Sequence, residues 1–154
     1  MQVAMFLAQR GFDHVANIAG GINASTVKQV ADTGAHIIVV GAAIINGLKV
    51  VDKNLADVKL VVSGAGAAAL ACLGLLVKLG LPRKNIWVTD LAGVVYEGRT
   101  ELMDEDKIQY AQKTNARTLA EVMGGADVFL GLSAGGVLKP EMVKTMAQRP
   151  LILA

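Results

Sequence analysis

The run from Lys59 to Leu70 reads KLVVSGAGAAAL, a G-x-G-x-x-A pattern between a β-branched stretch and an Ala/Leu-rich one. Such spacing suits a strand, a tight turn and a helix. Gly64 allows the turn, Gly66 leaves room for a pyrophosphate to approach the backbone, and Ala69 lets the helix pack closely on the strand. The helix that opens at Ala67 starts with N–H groups lacking intrahelical partners, and with its dipole they favour an anion. The next strand-like run, Asn85-Ile-Trp-Val-Thr-Asp90, ends in a carboxylate. In a Rossmann βαβ unit that position meets the adenosine ribose, so Asp90 is expected to accept a ribose hydroxyl. A negative charge there repels a 2′-phosphate, which favours NAD over NADP, a soft preference that a basic group lying close, such as Arg99, can override. A third glycine-rich run, Phe129-Leu-Gly-Leu-Ser133-Ala-Gly-Gly136, follows another strand. Ligands of open α/β sheets lie beyond the carboxyl ends of the strands, so Ser133 is placed beside the nicotinamide. The same run also reads as a plain turn.

No catalytic or metal-binding set accompanies these loops. His14 and His36 lack a Cys, an Asp or a second His at ligand spacing. Ser63 and Ser133 have no recognisable His partner for a triad. Cys72 lies in an apolar helical stretch and reads as a small core residue. Asp104, Glu105 and Asp106 cluster where negative charge complements a helix start. Met103, Met123, Met142 and Met146 read as core fillers, and Lys139 as a solvated lysine.

The elements that must position the loops follow from punctuation and composition. The chain has 154 residues, 53% of them hydrophobic but only 4% aromatic, so aliphatic residues build the core. That mixture suits parallel strands covered on both faces. Strands are expected at His14–Ala19, His36–Val40, Val58–Ser63, Ile86–Asp90, Asp127–Gly131 and Pro150–Leu153. Helices are expected at Val3–Gln9, Ala24–Thr33, Ala42–Leu55, Ala67–Leu79, Asp104–Lys113, Thr118–Val122 and Pro140–Met146. Thr118 with Glu121 forms a capping box, and Pro140 suits a first helical position. Alternating strands and helices imply right-handed crossovers. The expected fold is a single α/β domain over residues 1–154, a doubly wound, mostly parallel sheet of about six strands in a Rossmann-like three-layer sandwich. A closed eight-stranded barrel needs about 200 residues or more and is excluded by length.

Net charge is +2 with both signs interspersed, which does not make a nucleic-acid footprint. Residues 60–77 carry no charge, but Ser63, Gly64 and Gly66 divide them into a buried strand and a buried helix rather than a membrane span. No secretory signal opens the chain, since residues 1–10 lack a basic start. A lone cysteine fits a reducing, cytoplasmic setting. Wide apolar helix faces are compatible with a homodimer.

Residues 58–154 resemble the NAD-binding domain of bacterial malic enzymes. The resembling stretches are VVSGAGAAALACLGLLVKLGLPRKNIWVTDLAGVVYEGR, GADVFLGLSAGGVLKPEMV and RPLILA. This resemblance implies cofactor binding at Gly64, Gly66, Ala69 and Asp90, with Ser133 near the nicotinamide. It does not carry malate chemistry across, because the family's acidic metal ligands and its tyrosine and lysine come from earlier regions whose motifs are not found here. Gly11–Ile22 resembles the end of a rhodanese domain. Residues 20–44 are similar to the last strand–loop units of hexulose-phosphate synthases, which implies a phosphate site at Gly20, Gly21, Gly41 and Ala42. The combination reads as a designed or recombined mosaic: a barrel-like segment over 1–47, a seam near Gly47–Asn54, and a Rossmann-like segment over 58–154. The expected function is a dinucleotide-binding loop, for NAD before NADP, without a complete catalytic site. The alternatives are a phosphate or phosphosugar binder and a scaffold with no selected function.

Overall fold

A computed structural model describes residues 35–154. Its elements are α1 (Ala35–Val50), β1 (Leu60–Ser63), α2 (Ala67–Lys78), a 3-10 turn (Arg83–Asn85), β2 (Ile86–Asp90), β3 (Gly93–Val94), α3 (Glu105–Ile108), α4 (Leu119–Met123), β4 (Val128–Gly131), α5 (Pro140–Thr145) and β5 (Leu151–Leu153). The strands form one sheet in the order β3-β2-β1-β4-β5. All neighbours are parallel except β3, which returns antiparallel beside β2. The expected α/β fold with a mostly parallel, Rossmann-like sheet is borne out.

Alternation along β1 explains the layers. Leu60 and Val62 face one core with Ile86, Val88 and Leu130, closed by Ile44 and Leu48 of α1 and by Leu73 and Leu76 of α2. Val61 faces the opposite core with Phe129, Val122 and Met123, against which Met142 and Met146 pack. A two-residue period thus serves two apolar layers from one strand. At the other end of the sheet, Asp127 takes Lys53 at 2.7 Å and the Lys59 backbone N–H at 2.8 Å. Burial pulls the Lys59 amine below its ordinary range, opposed by the Asp127 charge.

Four of the expected strands are present within a residue or two. The expected strand at His36–Val40 is instead the first part of α1. Its Ile and Val content suggests a strand, but the run is apolar over four turns and packs on α2, so tertiary packing overrides local propensity. Gly41 and Gly47 do not break this helix. A Cβ on Gly41 would lie 2.8 Å from Leu75, and one on Gly47 would lie 2.7 Å from Leu151. Both glycines are where neighbouring side chains press against the helix. The helix ends at Val50 rather than Leu55, and the helix expected at Asp104–Lys113 shortens to Glu105–Ile108. β3 was not expected from the sequence. The strand at His14–Ala19 and the helices at Val3–Gln9 and Ala24–Thr33 lie outside the described residues.

Residues 60–77 divide into β1, a loop and most of α2, and none of the described helices is long and apolar enough to cross a membrane.

Candidate functional site

The loop between β1 and α2 is held from both sides. The Gly64 N–H donates to the Thr89 carbonyl at 2.8 Å, and the Leu132 N–H donates to the Ser63 carbonyl at 2.8 Å. Gly64 has a φ of +108°, and a Cβ there would lie 2.8 Å from the Leu132 carbonyl oxygen. It therefore serves both the left-handed turn and the close approach of the β4 loop. Gly66 is different. Its φ of −78° and ψ of 172° are open to any residue, and a Cβ would meet nothing within 4 Å. The space beside it opens onto the start of α2, where Ala67 and Ala68 are exposed and Ala69 is buried against the sheet. The Leu70 N–H closes the first helical bond, to Gly66, so the N–H groups before it are left for a ligand. No acidic residue occupies this first turn. The residues present fit a pyrophosphate: open backbone, small side chains, N–H donors and a positive dipole end.

Asp90 sits at the end of β2, adjoining the loop through Thr89. Its carboxylate is already engaged. Arg99 Nη2 lies 2.6 Å from both oxygens, the Ala92 N–H donates to Oδ1 at 2.9 Å, and Lys107 Nζ donates to Oδ2 at 3.2 Å. Three partners make four contacts, which match the four acceptor positions of a carboxylate. Arg99 in turn donates through Nε to Glu101 and through Nη1 to Gly93 and Val94. Leu102 adopts a φ of 52°, and its carbonyl accepts Lys107 Nζ at 2.6 Å. Arg99 is the basic residue expected to lie close to Asp90, whereas Lys107 is a site residue that the sequence does not reveal. The geometry of the Arg99 pairing depends on the β3 reversal.

Ser133 lies at the end of β4, with its hydroxyl 2.8 Å from that of Ser63. Ser63 is 5% exposed. The pair lines a cavity of about 380 Å³ with Phe129, Gly131, Gly136 and Ala154, at the carboxyl ends of β1, β4 and β5. Gly64, Gly66, Ala67, Ala69, Asp90 and Ser133 thus lie at or just beyond the carboxyl ends of β1, β2 and β4. The proposed phosphate loops do not gather. Gly41 and Ala42 lie inside α1, where their backbone serves the helix, and Gly20 and Gly21 are outside the described residues. Cys72 is buried in α2, and burial pushes its thiol up to about 11.

The family model of the malic enzyme NAD-binding domain matches residues 31–154. The NAD-dependent malic enzyme of Rhizobium meliloti is 62% identical over 123 residues, which is 80% of this chain and 16% of that protein. The NADP-dependent malic enzyme of Salmonella typhimurium is 57% identical over 124 residues, with the same coverage of each. Among solved structures, the NAD-dependent malic enzyme of Thermotoga maritima superposes with a TM-score of 0.67 at 37% identity, covering 75% of this chain and 32% of that one. The chain therefore spans about a sixth of the length of these two curated relatives. The match runs unbroken through Gly47–Asn54 and includes Gly41 and Ala42. It overturns the reading of a designed or recombined mosaic with a seam there, because one family model spans residues 31–154 and natural bacterial enzymes match 80% of the chain at 62% and 57% identity.

Proposed function

The chain belongs to the family of malic enzyme NAD-binding domains, and from this we propose that it is the dinucleotide-binding unit of an NAD(P)-dependent malic enzyme. The observation that carries the proposal is the open backbone at Gly66 facing the uncapped first turn of α2. Bound there, the dinucleotide supplies a nicotinamide that accepts the hydride leaving malate. This chain's residues bind and orient it. The first turn of α2 holds the pyrophosphate. The Ser63–Ser133 cavity receives the nicotinamide end, and the β2–β3 turn shapes the adenosine end. The full oxidoreductase activity belongs to the whole enzyme. A reducing, cytoplasmic setting suits it, with a lone buried thiol that needs no pairing.

Asp90 acts here as a shaping residue more than a direct ribose ligand, since its oxygens already have their partners. Arg99 and Lys107 cancel its charge, which weakens the electrostatic ground for excluding a 2′-phosphate. The preference for NAD over NADP is therefore small. Named relatives of both kinds, at 62% and 57% identity, agree with that reading.

Thermal unfolding with millimolar NAD and NADP tests the proposal. A ligand at 100 times its Kd stabilises the fold by about 2.7 kcal/mol. Stabilisation by either dinucleotide is expected. No shift with both would overturn the reading.

A further inference from the structure

A second polar cavity lies at the β3 edge of the sheet, lined by none of the residues of the dinucleotide crevice. It has a volume of about 350 Å³, and its walls are Tyr96, Glu97, Lys113, Thr114, Asn115 and Arg117. The fold builds it deliberately. Tyr96 bridges Gln112, and the chain then leaves the edge and returns so that the Arg117 carbonyl accepts the Val94 N–H at 2.9 Å. The loop between these two anchors carries Lys113 and Arg117.

Arg117 is fixed without an acid. Its guanidinium stacks on the Tyr96 ring at 3.6 Å, and its Nη1 donates to the Thr114 and Ala116 carbonyls at 3.1 and 2.9 Å. Its Nε and Nη2 have no hydrogen-bond partner among the described residues. Neither Arg117 nor Lys113 forms an ion pair among the described residues. The Glu121 carboxylate accepts the Arg117 and Thr118 backbone N–H groups and feels the Arg117 charge without pairing with its guanidinium, and Glu97 is the one acid in the cavity wall. A stacked, backbone-tethered guanidinium has lost much of its freedom already, so a ligand pays little to order it. Its remaining N–H fork matches an oxyanion, and a nearby lysine adds a second positive charge.

We propose that this cavity is a binding site for a small metabolite with an oxyanion head group, a phosphate or a carboxylate, separate from the dinucleotide crevice. Arg117 provides the oriented donors, Lys113 the second charge, and Asn115 and Thr114 further polar contacts.

The test is an NMR titration of the full chain with inorganic phosphate and, separately, with succinate, at constant ionic strength. Saturable shifts at the backbone amides of Tyr96, Lys113, Asn115 and Arg117 are expected. Response to phosphate alone assigns a phosphate head group, and response to succinate alone a carboxylate; both support the site. Arg117→Gln and Lys113→Gln should each weaken the interaction about tenfold while the remaining resonances keep their dispersion. Three results overturn the proposal: no saturable shift at these amides with either probe, equal affinity in both variants, or a response confined to the first turn of α2.

Discussion

Arg99 holds Asp90 with Nη2 at 2.6 Å from both carboxylate oxygens, and the two side chains are only 2% and 9% exposed. The remaining guanidinium nitrogens bind the carbonyls of Gly93, Val94 and Glu101, so one side chain ties the end of β2, the β3 reversal and the following loop together. Removing one partner of a buried pair costs about 3–5 kcal/mol when the other charge is left alone. Here Lys107 at 3.2 Å and the Ala92 N–H still serve Asp90, so the loss falls toward about 2–3 kcal/mol. Arg99→Ala is expected to lose stability on that scale in urea unfolding. Arg99→Lys should not restore it, because an ammonium cannot reproduce the fork. Wild-type stability in either variant would show that the pair is not the clamp described here.

Gly64 is expected to resist substitution for reasons of fold. Gly64→Ala places a Cβ 2.8 Å from the Leu132 carbonyl on a backbone at φ +108°. Strain of this kind costs about 1–3 kcal/mol before the clash is added. A melting temperature unchanged by Gly64→Ala would remove the close-approach argument.

Gly74 presents the opposite case. It lies in the middle of α2, and an added Cβ would meet nothing within 4 Å. Gly costs about 0.8–1.0 kcal/mol relative to Ala in a helix interior. Gly74→Ala should stabilise the chain by about that amount, as read from denaturant midpoints, and destabilisation would contradict the packing of α2.

Glu121 carries a pH dependence of known sign. Its carboxylate accepts the backbone N–H groups of Arg117 and Thr118 and the Thr118 hydroxyl, which hold it below its ordinary value of 4.5. A group depressed in the folded state stabilises above its unfolded pKa, and that contribution is lost as pH falls through the folded value. Glu121→Ala should therefore be less stable than wild type at pH 6, with the difference narrowing below pH 4.5. A difference that is constant with pH would separate the capping box from the titration.

The fold was legible where local signals and tertiary packing agree. The β1–α2 corner, the Thr118–Glu121 box and Pro140 opening α5 all announce themselves in the sequence. The α1 segment misled because Ile and Val favour strands while Gly41 and Gly47 imitate loop punctuation, and only the contacts with Leu75 and Leu151 explain them. The phosphate-loop reading at Gly41–Ala42, and with it the mosaic, comes instead from the resemblance of the N-terminal residues to other families, which takes the same glycines for a strand-end loop. At the site, the glycine positions, Asp90 and a nearby Arg99 can be read from the sequence, but the closed cluster that they make with Lys107 cannot. Its members are brought together by β3, a two-residue strand with too little pattern to recognise.

The central claim is that Gly66 and the first turn of α2 hold a dinucleotide pyrophosphate, and Gly66→Asp tests it most directly. Gly66 already has the extended backbone of an N-cap, and Asp is a favoured N-cap residue, so the variant should fold with equal or greater thermal stability. Its carboxylate would occupy the N–H donors and repel the pyrophosphate. The measurement is the affinity for NADH and NADPH, read by fluorescence titration of wild type and variant. Binding is expected in wild type, with at least about a tenfold loss in a variant that remains fully folded. Equal affinity in the folded variant would contradict it.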